Sequence, residues 1–311
     1  MSKQSMLVLL AVTLFSSLAQ AGDHYASEET SVGSSHFIQN VMLGGDFGAN
    51  GKSEAPFDWS VGYTYERAST PNPGGSEIVD NTSDFTGDFG WMSEEGWGIS
   101  GFLDFSNTPS ENLKTTGGGL TGTYKWKYGA SDLDFHPYLT FNLNLASTTY
   151  KLSYDLTSPF RRVQNKGTRV GNIDMKETMI GPEFIWRPSE QWKFMANTSF
   201  YHYDRDVNQF ESNLDSPAAL RLGISGFSDT VGGLPRISYT LGANWYFHPD
   251  WDLSARQNIS IAATDGSTSG TSKLTLNYSI DSDWKAHLGA EIYTSTVVSD
   301  TLVIAGIEYN F

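Results

Sequence analysis

From residue 37 to the last residue, apolar and polar side chains alternate with a period of two in segment after segment. In the final segment Val303, Ala305, Ile307, Tyr309 and Phe311 share one face, and Ile304, Gly306, Glu308 and Asn310 the other. Residues 284–293 set Trp284, Ala286, Leu288, Ala290 and Ile292 against Lys285, His287, Gly289, Glu291 and Tyr293. Residues 273–280 set Leu274, Leu276, Tyr278 and Ile280 against Lys273, Thr275, Asn277 and Ser279. Successive side chains of a strand point to opposite faces, so the pattern specifies strands with one apolar and one polar face. A two-layer sandwich and a closed barrel both satisfy it.

Three features decide for a barrel with lipid on its apolar side. The segments run to about ten residues, the length a tilted strand needs to cross hydrocarbon, whereas strands of soluble sheets average about five or six. Aromatic residues sit at segment ends: Trp59, Trp97, Trp192, Trp251 and Trp284 open strands after turns, and Trp91, Trp186 and Trp245 nearly close them. An indole at a membrane interface keeps its ring in the apolar zone and its N–H near water. Short polar links (93–96, 130–134, 187–191, 248–250, 281–283) also alternate with longer ones (67–81, 107–116, 151–174, 204–234, 263–270, 295–300). Short turns on one rim and long loops on the other are the habit of outer-membrane barrels. A propeller would need a blade repeat of roughly forty to fifty residues, and none recurs.

Composition closes off other classes. The mean hydropathy of -0.34 excludes a helical membrane protein. Acidic residues number 35 against 20 basic ones, which argues against a nucleic-acid partner. The N-terminus reads as a cleaved signal peptide, residues 1–21: Lys3 supplies the positive region, Met6 to Leu18 the short apolar region, and Ala19-Gln20-Ala21 the small-x-small site. With no cysteine anywhere, a lipid anchor on cysteine, disulfides and thiolate metal sites are excluded.

The terminal strand ending in Phe311, with apolar residues at 309, 307, 305 and 303, resembles that of Gram-negative outer-membrane β-barrels of the general porin type. The resemblance covers residues 22–311 as a pattern, but its only local motif is Phe311 with its strand. It implies an integral outer-membrane location, contact with outer-membrane lipids, reading of the last strand by the outer-membrane assembly machinery, and transport of small polar solutes or ions. Trimeric porins have more strands than this chain can supply, so a monomer is expected.

The fold expected is therefore all-β, a transmembrane antiparallel up-and-down barrel of about 12–14 strands. Thirteen segments can be counted: 37–48, 57–66, 82–92, 97–106, 117–128, 135–147, 175–187, 192–203, 235–247, 251–262, 271–280, 284–294 and 301–311. A closed bacterial barrel has an even number, so residues 23–33 are read as a fourteenth, although their apolar face is poor. The alternative is twelve strands with residues 22–56 tucked inside or along the wall.

Alternation assigns the lumen. Early strands turn Asp46, Asp58, Glu66, Asp84, Asp88 and Asp104 inward without a base; later ones turn in Lys125, Lys127, Lys193, Arg236, Arg256, Lys273 and Lys285, mixed with Glu183, Asp252, Glu291 and Glu308. Such sectors either create a transverse field in a water-filled passage with mild cation preference, or pair across strands and fill a lumen that conducts nothing.

Catalytic signatures are thin. His24, His36, His136, His202, His248 and His287 show no metal-ligand spacing, and Gly223-Ile224-Ser225-Gly226 lacks the nucleophile-elbow pattern. An enzyme, a cofactor and a bound metal are not expected; an outer-membrane hydrolase is the remote alternative. Arg161, Arg162, Lys166 and Arg169 in the 151–174 link could fold inward as a constriction or meet lipid phosphates. The 204–234 link, with Leu214, Leu220, Leu222, Ile224 and Phe227, suggests a plug, an external hairpin or a partner surface, the last fitting an adhesive barrel without transport.

Overall fold

The computed structural model describes residues 24–46, 57–71, 77–109, 112–129, 135–155, 170–208, 234–294 and 299–311. Residues 1–21, read above as a signal peptide, lie outside them. Fourteen antiparallel strands close into one barrel, each paired with its neighbours in sequence and the first paired with the last. They are β1 His24–Val32, β2 His36–Asp46, β3 Phe57–Pro71, β4 Glu77–Met92, β5 Trp97–Thr108, β6 Leu113–Lys127, β7 Tyr138–Asp155, β8 Val170–Arg187, β9 Trp192–Tyr203, β10 Pro235–His248, β11 Trp251–Ala262, β12 Thr268–Ser279, β13 Trp284–Thr294 and β14 Ser299–Asn310. Residues 23–33 are thus a wall strand and not a tucked segment.

The seam between β1 and β14 runs from Tyr25–Asn310 to Val32–Val303. At its lower end the backbone pairs reciprocally: His24 N–H donates to the Phe311 carbonyl at 3.2 Å, and Phe311 N–H to the His24 carbonyl at 2.8 Å. Closure leaves no open strand edge, the condition for a sheet in hydrocarbon.

Outside, the wall is a belt of large exposed apolar side chains, among them Phe85, Phe89, Leu103, Leu120, Leu143, Ile180, Phe184, Leu241, Leu274, Leu288, Val303 and Ile307. A contiguous apolar surface on this scale is what a bilayer interior requires and what water does not tolerate. All nine tryptophans, Trp126 included, stand at the lower rim, the end at which His24 pairs with Phe311. Their rings pack side by side along that rim, Trp186–Phe194 5.6 Å, Trp192–Phe194 5.6 Å and Trp192–Trp245 5.8 Å stacked and Trp245–Phe247 5.1 Å tilted, between centroids. Each such pair adds about 0.5–1.5 kcal/mol beyond burial.

Lower turns are tight. In 93–96, Gly96 adopts φ of 91° and a β-carbon there would collide with the Lys125 carbonyl, so this turn requires glycine.

The link lengths differ from the sequence reading. Several strands run on into the links at the upper rim, β7 to Asp155 and β8 from Val170, so that only 156–169 and 204–234 remain long there. The lower rim is not uniformly short either, because 47–56 joins β2 to β3. On the upper part of β6 to β8 the pattern inverts: Leu113, Leu152, Ile173, Met175 and Met179 point inward, and Lys114, Thr149, Lys151, Asp174 and Lys176 outward. A wall that leaves the hydrocarbon needs a polar outside, and its strands persist on backbone pairing and on the apolar packing inside.

Candidate functional site

The inward faces follow from register. Asp46 pairs with Asp58, Asp58 with Gly90, Ser60 with Asp88, Thr86 with Asp104 and Asp104 with Gly117, which puts these side chains on one surface opposite the apolar belt. By the same reasoning Lys125, Lys127, Glu183, Lys193, Arg256, Lys273 and Lys285 all face the lumen. Arg236 is the exception, an exposed residue at a register shift between Pro235 and Ile237 on the upper rim. Arg161, Arg162, Lys166 and Arg169 lie outside the described residues.

The lumen has two halves. Lower inward side chains are open to solvent: Asp58, Asp88, Lys127, Arg256 and Lys285 are exposed, and Lys125, Glu183, Lys193, Lys273 and Glu308 half-buried. Upper ones are mostly buried, including Glu66, Asp80, Asp84, Asp104, Asn144, Glu177, Asn258 and Ile304. Asp84 and Asp104, read from sequence as pore-lining, are therefore inward but covered. Part of the covering is an apolar cluster of Leu113, Tyr150, Leu152, Met175, Val207 and Leu234. Val207 and Leu234 are the two feet of the 204–234 link, whose residues 209–233 lie outside the described ones. Both feet thus turn into the mouth. Glu177 sits beside the cluster, accepting a hydrogen bond from the Tyr150 hydroxyl at 3.1 Å.

Charge is divided around the ring. The inward faces of β3, β4 and β5 carry Asp58, Glu66, Asp80, Asp84, Asp88 and Asp104 and no Lys, Arg or His. Ser60 donates to Asp88 at 2.9 Å, and Asp84 and Asp104 sit buried at diagonal positions of adjacent strands. On the strands that follow, aromatic faces hold cations in place: Lys125 Nζ of β6 lies 4.5 Å from the Tyr138 ring centre, and Arg187 of β8 lies between Phe135 and Tyr246 at 5.3 and 5.0 Å. Other charges pair. Lys285 meets Glu308 at 2.8 Å, while Glu29 of β1 receives Lys273 at 3.2 Å and His287 at 3.0 Å. The His287 ring reaches Glu29 by lying over Gly306 of β14, where a β-carbon would strike it. Sequence reasoning missed Glu29 because β1 alternates weakly; Glu29 opposite Gly306 was the available signal.

Among the described residues, no three or more His, Asp or Glu side chains converge to hold a metal ion. No family model and no curated protein matches the sequence. Among solved structures, the chain is similar to the KdgM porin in complex with disordered oligogalacturonate (9% identity, TM-score 0.42, covering 92% of this chain and 99% of that one). It is also similar to the outer membrane protein OprD from Pseudomonas aeruginosa (10%, 0.44, 94% and 93%). A third is the Pseudomonas putida toluene transporter TodX (8%, 0.45, 94% and 89%). The functional reading rests on the chain's own geometry.

Proposed function

We propose that this chain is an integral outer-membrane channel for small polar solutes or ions, with mild cation preference. The observation that carries the reading is the pairing of an apolar outer belt with a lower lumen open to water and lined by charges of both signs. Such a wall separates hydrocarbon from an aqueous interior. Barrels of about eight strands are filled by side chains and those of about sixteen hold an aqueous channel, so fourteen strands leave room for water and for a constriction. The cation preference follows from the upper half, where the β3 to β5 sector offers buried acids and no base.

The covered upper lumen favours a second reading, a barrel that is closed to solutes and serves structure or adhesion. Single-channel recording on the refolded protein separates the two: a conduit gives ohmic steps, and a closed barrel gives none. Among the described residues the lumen's charges are arranged as arcs and pairs, which supports a conduit over a hydrolase; release of fatty acid or peptide by the refolded protein would contradict that.

A further inference from the structure

We propose that the outward face of the upper wall on β6 to β8 binds the phosphate groups of outer-leaflet lipids through Lys114, Lys151 and Lys176. Lys114 stands directly opposite Lys151, and Lys176 opposite Thr149, the outward residue two places below Lys151. Thr149 in turn faces Thr116, which brings two hydroxyl groups beside the three ammonium groups. The lysines are all exposed, and none forms an ion pair with a carboxylate among the described residues. Two acids share this face. Asp174 lies opposite Lys151, and Asp204 turns one oxygen to the Lys176 backbone N–H at 2.7 Å instead of to the ammonium group.

Depth decides the partner. Trp126, Leu139 and Trp186 form one outward row at the lower girdle, and Leu120, Leu145 and Ile180 form another in the middle of the apolar belt. A tilted strand crosses the hydrocarbon in about 9–11 residues. Lys176 stands ten residues along β8 from Trp186, and Lys114 and Lys151 stand twelve residues along β6 and β7 from Trp126 and Leu139. All three lysines therefore emerge where the hydrocarbon ends, on the same columns of the wall that touch lipid lower down. The long links 156–169 and 204–234 put this rim at the outer face of the membrane. Like charges directly opposite each other destabilise a strand pair, and an anion seated between Lys114 and Lys151 relieves that repulsion. At headgroup level the anion that a bilayer supplies is a lipid phosphate, whose attraction for basic side chains acts within a Debye length of the surface. The site rests on the barrel lying in a bilayer and not on whether it conducts.

The test titrates refolded protein in uncharged detergent with bisphosphorylated lipid A and with its dephosphorylated form, reading bound lipid by native mass spectrometry. Wild type should bind the phosphorylated lipid at least about tenfold more tightly, and the K114Q/K151Q/K176Q triple variant should lose that preference. Lys285→Gln, which removes a lumen lysine, should keep it. If the triple variant does not fold, Lys114→Gln with Lys151→Gln decides, and should weaken the preference at least about threefold. Equal binding of the two lipids by wild type overturns the site, as does a preference that the folded lysine variants retain in full or that Lys285→Gln abolishes.

Discussion

His36 Nδ1 lies 2.9 Å from Asp300 Oδ2, with the two side chains only 2% and 3% exposed, and this contact pins the first hairpin to the last strand. Asp300 also accepts from the backbone N–H and hydroxyl groups of both Ser34 and Ser35, at 2.7 to 3.1 Å. The turn between β1 and β2 is thereby folded around one carboxylate of β14. The outward side chains of β1, Ala26, Glu28 and Thr30, offer lipid little, so the seam depends on backbone pairing along its length and on this knot at its top.

Replacing Asp300 with Ala strands several buried donors at once. Hydrogen bonds to a charged group contribute about 1.5–3 kcal/mol, and the orphaned donors add their desolvation, so a loss of about 3 kcal/mol or more is expected. The urea midpoint of the refolded barrel should fall, with a smaller decrease for His36→Ala. A midpoint equal to wild type would show that strand pairing alone closes the barrel.

Phe311→Ala removes the ring that packs on Tyr309 at 5.8 Å and His24 at 6.0 Å at the foot of the seam. The reciprocal backbone pair with His24 survives the change, so folded protein should persist with about 1–2 kcal/mol less stability. The fraction of heat-modifiable, folded protein in the outer membrane should fall by more than that loss accounts for, if the terminal strand is the assembly signal that its resemblance implies. Equal yields would remove the functional meaning of the C-terminal resemblance.

Much of this architecture was legible in the alternation. β9, β11 and β13 begin and end where their aromatic and apolar residues say they should, because lipid contact imposes the period. β7 and β8 extend well past the predicted ends because Thr149, Lys151, Asp174 and Lys176 face water outside while Leu152 and Met175 pack inside. Hydropathy no longer marks those strands as lipid-facing, although backbone pairing continues. Inwardness was likewise readable from parity, whereas exposure was not. Asp84 and Asp88 have the same parity on one strand, yet Asp84 is buried and Asp88 open, since depth along the barrel axis decides. The pairing of Glu29 with Lys273 and His287 required knowing that the first strand lies beside the last.

Orientation is testable because the chain has no cysteine of its own. Single cysteines at Asp206 and Asp265, exposed at the upper rim, should react with a membrane-impermeant maleimide on intact cells. Those at Glu94 and Glu190, exposed at the tryptophan-lined lower rim, should react only after the outer membrane is opened. The reverse pattern would invert the barrel.

Selectivity brings both halves of the lumen into play. Fixed carboxylates beside a low-dielectric wall raise the local cation concentration, and the β3 to β5 sector supplies six of them without a base. Lys193 and Arg256 in the lower lumen oppose that field, and neither forms an ion pair with a carboxylate among the described residues. Changing Asp84, Asp88 and Asp104 together to Asn should therefore move the reversal potential toward anions, and Lys193→Gln with Arg256→Gln should move it toward cations. Asp88→Asn alone should do less than the triple change, because Asp88 is open to screening water while Asp84 and Asp104 are covered. Both shifts should shrink in about 1 M salt, where the Debye length is only about 3 Å. A variant that conducts with an unmoved reversal potential would place these carboxylates off the ion path and return the cation preference to the part of the chain that the triple change leaves intact.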